Sequence, residues 1–377
     1  MKLLHLSDLH LGKRVNGFSM IPDQIHILDQ ILSIVREHRP DGVLIAGDVY
    51  DKSVPSAEAV ELLDKFLTEL VHIGPDVFLI SGNHDSAERL SFGGRLLSAS
   101  RVWVSPVYSG EVLSVEMEDA FGTVTFHLLP FLKPAHVRPH FPDARIETYS
   151  DAMETALSRC DLNSGRHVLL AHQLVTGAER CESEDISIGG SDNVDAAVFA
   201  GFDYVALGHL HRPQNVGQNM RYCGTPLKYS FSEANHEKSV TLVTLQEKGS
   251  VSIENLRLTP LHDMKHIRGS YSELMNRSYY LNTGLPECYL HITLTDEEDI
   301  PDAVGRLRSV YPYIMQLDYD NRRTRLRQNP LEEQVQPESS PLELFNLLYE
   351  KQNNTSLSDP EQDYLLAMME RIWEVEK

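Results

Sequence analysis

Cysteine is scarce in this chain: Cys160, Cys181, Cys223 and Cys288 are the only four among 377 residues. None forms a C-x-x-C pair and the spacings match no zinc pattern, so a thiolate metal site is excluded and free thiols in a reducing compartment are expected. No run of 18 apolar residues occurs, which predicts no transmembrane helix. The opening Met1-Lys2-Leu3-Leu4-His5-Leu6 meets Ser7-Asp8 too soon for a signal-peptide apolar region and reads as a first strand. A cytoplasmic protein without a membrane partner is the expectation. Positive charge is also short, with 34 Lys and Arg against 55 Asp and Glu, a net −21. Phosphate backbones are met by Lys and Arg, so such a chain is a poor non-specific nucleic-acid binder. A polynucleotide substrate would require bound cations, a local basic patch or a partner. No G-x-x-x-x-G-K-[ST] loop is present, so any ATP dependence must come from another chain.

What is present is an ordinary globular composition, 41% apolar and 24% charged, at a length that suggests two or three domains. Apolar spacing predicts helices over 24–38 (Ile25, Leu28, Ile31, Leu32, Val35) and 56–73 (Val60, Leu63, Phe66, Leu67, Leu70), with a third near 149–159. Short apolar runs at 2–6, 43–46, 77–80, 112–115, 124–129, 167–171 and 204–207 read as strands, and 240–245 with 251–258 as a hairpin around Lys248-Gly249. Alternation of strand and helix implies α/β layering with parallel strands.

This domain is expected to end near residue 260. A small α/β lobe over 261–328 follows, with strands at 287–294 and 313–319 around a helix at 301–310. Its closing arginines, Arg322, Arg323, Arg325 and Arg327, read either as nucleic-acid contacts or as a solvated edge. Residues 329–340 are polar and read as a linker. Over 341–377, Ser340-Pro341-Leu342-Glu343 and Asp359-Pro360-Glu361-Gln362 start two short amphipathic helices. They either fold back on the body or dock on a partner. Residues 331–377 hold 11 acids and 3 bases, so −8 of the −21 lies away from the first domain.

The chemistry-bearing motifs sit at the ends of predicted strands, where open α/β sheets place ligand sites. Asp8-x-His10 offers a carboxylate and an imidazole that, in an extended segment, would share one side. Asp48 follows Gly47 in Gly47-Asp48-Val49-Tyr50-Asp51. Asn83 lies in Gly82-Asn83-His84-Asp85. His172 follows Ala171, and Gly208-His209-Leu210-His211 closes the set. Gly47, Gly82 and Gly208 each directly precede a donor, where close backbone approach is useful. A single D-x-H carries little weight. Five motifs in order, each after an apolar run, are hard to assemble by chance. Lys13 and Arg14, after the first motif, read as phosphate contacts or as a solvated loop.

The order D-x-H, G-D-x-x-D, G-N-H-D, H, G-H-x-H resembles the calcineurin-like metallophosphoesterase superfamily. The opening Leu6-Ser7-Asp8-Leu9-His10-Leu11-Gly12, the segment Tyr222-Cys223-Gly224-Thr225-Pro226, and Tyr229-Ser230-Phe231-Ser232-Glu233 are similar to its nuclease subunits. The resemblance implies a layered sandwich of two β-sheets flanked by helices, a capping lobe, and C-terminal helices that bind a large coiled-coil ATPase. It also implies Asp8, His10, Asp48 and His211 around one ion and Asp48, Asn83, His172 and His209 around a second, with Asp48 bridging. His84 would act on the leaving group as general acid or transition-state stabiliser, its ring oriented by Asp51 or Asp85. Oxygen and imidazole donors without thiolates suit two Mn2+, with Mg2+ a possible substitute. The implied activity is exonuclease and endonuclease cleavage of DNA, in break or hairpin processing, by a homodimer formed near 56–73 and 86–99. Two rivals stand beside it. A cyclic-nucleotide or other small phosphodiesterase or phosphatase would share the metal site without needing the lobe and tail helices. A non-catalytic scaffold would be expected to have lost ligands.

Overall fold

The computed structural model describes residues 1–179 and 192–322, together with residue 324 and the isolated positions 345, 349, 357, 361, 362, 364, 365 and 368. Cys181, Arg323, Arg325, Arg327, the 329–340 linker and the two tail helices as continuous elements lie outside the described residues. Two compact units are formed: 1–268 with 272–292 and 302–317, and 269–271 with 293–301 and 318–377.

Two six-stranded sheets build the first unit. In one, Lys2–Leu6, Gly42–Ala46, Asp76–Ile80 and Val102–Val104 lie parallel and side by side in chain order. Ser239–Leu245 and then Val251–Arg257 extend antiparallel from the free edge of Lys2–Leu6. In the other, Gly122–Leu128, Arg166–His172, Tyr204–Gly208 and Met220–Tyr222 run parallel, closed at the edges by the antiparallel strands Leu113–Asp119 and Gln214–Val216. From Leu3 onward in the first, the central strands are buried along their length, as parallel strands covered on both faces must be.

The two sheets stack on a shared apolar layer. Leu3, Leu44, Phe78 and Ile80 from the first meet Phe126, Leu128, Val168, Leu170 and Ala206 from the second. The rings of Phe78 and Phe126 stack with centroids 4.2 Å apart. Helices Ile21–His38 and Ala57–Ile73 cover the outer face of the first sheet, and helix Tyr149–Leu157 belongs to the core on the outer face of the second. The architecture is therefore the layered sandwich expected from sequence.

Local chemistry sets the helix limits. Ser56 caps Ala57–Ile73 by accepting the Ala59 N–H, and Gly74 ends it in a left-handed conformation at φ 111°. Thr148 and Asp151 form a reciprocal capping box on Tyr149–Leu157. The buried arc of Ile21–His38 runs through Ile27, Leu28, Ile31 and Val35, which leaves Ile25 41% exposed, about 200° round the helix from Ile27. Val60, expected on the apolar face, is 45% exposed.

Beyond residue 260, Met264–Gly269, Tyr289–Leu294 and Ile314–Tyr319 form a three-stranded sheet in that order, with helix Ala303–Arg308 between the last two in the chain. The first of these strands was not expected from sequence. Met264, Tyr289 and Met315 join the same core as the helices of the first sheet. Among the described residues no helix is long and apolar enough to cross a membrane.

Candidate metal centre

All five motifs converge at the carboxyl ends of the parallel strands. Asp8 and His10 follow Lys2–Leu6, Asp48 follows Gly42–Ala46, and Asn83 and His84 follow Asp76–Ile80. From the second sheet, His172 ends Arg166–His172, and His209 and His211 follow Tyr204–Gly208. The stacking of the sheets brings the two sets face to face.

The backbone there is not the extended one expected for Asp8-x-His10. Asp8 (φ 53°), His10 (φ 45°), Asp48 (φ 48°) and His209 (φ 102°) all have positive φ, where side chains are strained. A ladder of main-chain bonds holds them: Asp8 N–H to Gly47 O at 3.0 Å, His10 N–H to Asp48 O at 2.9 Å and Leu11 N–H to Val49 O at 2.9 Å. The carboxylates add to it. Asp8 Oδ1 accepts the His209 N–H and Asp48 Oδ1 accepts the His84 N–H, each at 2.9 Å. Each bond ties a different loop to the cluster.

Glycine is required where the loops touch. A Cβ on Gly47, which has φ 89°, would stand 2.8 Å from His172 Cγ. One on Gly208 would collide with the Ala46 carbonyl and lie 2.7 Å from His172 Nδ1.

The inward atoms form a compact donor set. Asp48 Oδ2 lies 3.3 Å from His172 Nε2 and 3.8 Å from His10 Nε2, between the two. His10 Nε2 and His211 Nε2 are 3.3 Å apart. Asn83 Oδ1 is 3.0 Å from both His172 Nε2 and His209 Nδ1. Ligands at about 2.1 Å from a shared ion, separated by 90–110°, stand about 3.0–3.4 Å apart, so most of these spacings are those of co-ligands. Asp8, His10 and His211 form one group able to hold an ion, and Asp8, Asp48 and His172 another. A third, His10, Asp48 and His84, overlaps them. Asp8 Oδ2 is buried without a hydrogen-bond partner, an expense a cation would remove. The residues thus fit divalent ions with oxygen and imidazole preference.

The outer nitrogens fix the tautomers. His172 Nδ1–H donates to Ala46 O at 2.8 Å, which leaves Nε2 free to face inward. His211 Nδ1–H donates to Glu233 Oε1 at 3.2 Å. Glu233 is wholly buried, and Lys238 Nζ donates to its other oxygen at 2.6 Å and to the His211 carbonyl at 2.9 Å. A carboxylate behind a metal-binding imidazole raises its basicity and fixes its ring. Glu233 and Lys238 carry no role in the sequence reading, although Glu233 closes the quoted Tyr229–Glu233 segment.

Charge is divided unevenly. Burial holds His10 well below the usual imidazole value and brings His209 down to about 3, helped by neighbouring histidines, so both rings are held neutral. Burial also opposes a charge on His172, yet Asp48, Asp8 and the Ala46 carbonyl raise it to about 9. Against its own burial, Asp48 is held low by His172, His10 and His84, while burial and Asp48 raise Asp8. The negative charge that raises His172 is the same charge that would favour a cation among these side chains.

The remaining expected residues are placed as follows. His84 Nδ1 lies 3.0 Å from the Asp51 main-chain oxygen, with Nε2 facing the cluster 3.9 Å from Asp48 Oδ2. Asp51 thus orients the ring through its carbonyl. The Asp51 carboxylate binds Lys13 Nζ at 2.7 Å. Asp85 accepts the N–H groups of Val49, Tyr50 and Gly82, tying the Asp48 and Asn83 loops together; burial and Asp48 raise it to about 6 against those bonds. Arg14 is exposed at the start of a two-residue strand.

Two stacked sheets carrying this donor set are the frame of a calcineurin-like phosphoesterase, and the chain belongs to that family: the family model matches residues 1–213. A second model, described as the type 5 capsule protein repressor C-terminal domain, matches residues 260–353. The chain is 32% identical over 323 residues to the SbcD subunit of the nuclease SbcCD from Staphylococcus epidermidis, covering 84% of this chain and 85% of that one. That relationship places it among the SbcD proteins. Two solved structures are similar over part of its length: a dimetal phosphatase from Danio rerio (12% identity, 68% of this chain and 96% of that one, TM-score 0.41) and a Thermus thermophilus protein (11%, 67% and 98%, TM-score 0.40).

Proposed function

We propose that the chain is a manganese-dependent DNA nuclease that hydrolyses phosphodiester bonds, as exonuclease and endonuclease, with an SbcC-type coiled-coil ATPase. The observation that supports it most is the position of Asp48 Oδ2 between His172 and His10, with an unpartnered Asp8 oxygen beside it. Asp8, His10, Asp48 and His211 are assigned to one ion and Asp48, Asn83, His172 and His209 to the other. Two ions so held would neutralise the phosphodiester charge and activate water for in-line attack. Mg2+ is the weaker fit because imidazoles supply four of the seven ligands.

The chain's own residues do the rest. The tilt of the His84 ring, fixed by the Asp51 carbonyl, points Nε2 at the cluster, where a protonated imidazole donates to the leaving 3′ oxygen. Lys13, anchored by Asp51, sets a positive charge beside the scissile phosphate.

Phe92 and Leu96 are 87% and 81% exposed, close to Val60 on helix Ala57–Ile73, and an apolar face of this kind supports a homodimer. The ATPase contact is assigned to the tail helices over 341–377. A labelled duplex incubated with and without Mn2+, alone and with the ATPase, tests the proposal. Cleavage that needs Mn2+ is the expected result. Hydrolysis of cyclic nucleotides or aryl phosphates with none of DNA would replace it with a small-ester phosphodiesterase.

A further inference from the structure

Arg221 lies on the short strand Met220–Tyr222 and is only 4% exposed. Its Nε donates to Thr241 Oγ1 at 3.0 Å and one terminal nitrogen to Asn215 Oδ1 at 2.6 Å. Both acceptors are neutral, and among the described residues no carboxylate pairs with it. A buried guanidinium cannot shed its proton, so an unpaired one is costly. Hydrogen bonds to charged acceptors are about twice as strong as those to neutral ones, and the third nitrogen, Nη2, is left for such a partner.

Arg221 lines a cavity of about 350 Å³ at the edge where the two sheets meet. Arg212, Lys238 and Arg257 line it too, with Glu237 the one acid on its wall. Arg212 is held by Glu179, Lys238 by Glu233, and Arg257 loosely by Glu237 at 3.9 Å, both of these last being three-quarters or more exposed. Four cations thus gather in a chain of net charge −21. Arg212 directly follows His211, and Lys238 is bonded to the His211 carbonyl, so the cavity begins one residue behind the metal cluster.

We propose that this cavity is a phosphate site, in which Nη2 of Arg221 and the head of Arg257 grip a backbone phosphate of the polynucleotide away from the scissile one. The occupant rests on the nuclease reading above; the anion chemistry does not. The site also answers the charge problem posed by the sequence, because it concentrates cations where a strand leaving the cluster can reach them.

The test uses the full-length, Mn2+-loaded chain with the variants Arg257→Gln, on the exposed rim, and Arg221→Gln. DNA binding is measured against salt, cleavage of an oligonucleotide is compared with hydrolysis of bis(p-nitrophenyl) phosphate, and melting is followed with inorganic phosphate against matched chloride. A single lost phosphate contact should lower the slope of log K against log[salt] by about 0.7–0.9. The oligonucleotide-to-small-ester activity ratio should fall about 5–10-fold, and the phosphate-induced rise in melting temperature should shrink in each variant. The metal cluster contributes equally to all three proteins in that last comparison. If the phosphate response shrinks while salt slope and ratio stay at the parent values, free phosphate is the occupant and the polynucleotide assignment is overturned. If the phosphate response is also unchanged in Arg257→Gln, the anion site itself is overturned, even should Arg221→Gln fail to fold. A parent protein that cleaves the small ester but no DNA defeats the nuclease reading alone, and the phosphate melting then still decides the site.

Discussion

The two halves of the metal cluster are built in opposite ways. The half on the first sheet (Asp8, His10, Asp48, Asn83) carries both carboxylates and three of the four positive-φ backbones, braced by main-chain bonds between adjacent loops. The half on the second sheet (His172, His209, His211) is all imidazole, and two of its rings are set by acceptors behind them, Ala46 O and Glu233. Both carboxylates therefore come from one sheet, and three of the four imidazoles from the other. Among the described residues, two of the three groups able to hold an ion draw on both sheets, so the site depends on how the sheets stack. Strain is tolerated on the side where hydrogen bonds are dense, and ring orientation is imposed on the side where they are few.

The largest expected effect comes from the carboxylate that lies between a histidine of each half. Asp48→Asn keeps the shape but removes the charge shared by His10 and His172. It should abolish cleavage and lower metal content from two ions per chain. Measurement of bound metal after dialysis, beside a duplex assay, is sufficient; two retained ions with near-parental cleavage would sink the bridging role.

Next comes the contrast between a residue that faces the cluster and one within it. His84→Gln should lower turnover about 10²–10⁴-fold while both ions and DNA affinity are retained, since positioned acid–base groups contribute on that order. His172→Gln should lose metal as well as rate. His84 also belongs to one of the groups able to hold an ion, so equal metal loss in the two variants would make it a ligand.

A smaller effect is expected behind His211. Glu233→Gln leaves a hydrogen-bond acceptor but takes away the carboxylate that Lys238 neutralises. Loss of an outer carboxylate of this kind costs about 10–100-fold in metal affinity. Activity should therefore be recovered at high Mn2+, with kcat near that of the parent. A kcat defect that excess Mn2+ does not repair would show that Glu233 does more than position His211.

The first-sheet half was the more legible one in the sequence. Asp8, Asp48 and Asn83 follow apolar runs whose strand character is unambiguous, and their motifs are contiguous. The second-sheet histidines were read from the sequence too, but the groups behind their rings were not. Ala46 O belongs to the main chain of the other sheet, and Glu233 lies 22 residues beyond His211, in a 3-10 turn with no periodicity. Local order sets which side chains end a strand, whereas the partner behind a ring is set by sheet stacking, which no window of sequence contains. The extended geometry assigned to Asp8-x-His10 failed for a related reason. The chain leaves the sheet at Ser7, and the bonds to Gly47 and Asp48 then dictate the turn. The strand Met264–Gly269 was missed because its alternation is interrupted by charge at Lys265 and Arg268.

The smallest effect probes the seam between the halves. Gly208 precedes His209, and its Cα faces the Ala46 carbonyl that orients His172. A methyl group there has no free volume: it would overlap that carbonyl and crowd His172 Nδ1 at 2.7 Å. Gly208→Ala must push the second sheet outward or turn His172, and overpacking of this kind costs about 1–3 kcal/mol. The displacement falls first on His172 and His209; the main-chain ladder of the first-sheet half contains neither residue and meets them only through the Asp8 carboxylate on the His209 N–H and the Ala46 carbonyl on His172. The expected result is a protein that still folds, melts several degrees lower, and binds the ion at Asn83, His172 and His209 more weakly than the ion at Asp8, His10 and His211. Metal titration resolved into two steps, together with a melting curve, reads both quantities. If the two steps weaken equally, the halves move as one body and the division between a braced and an oriented half does not describe the site.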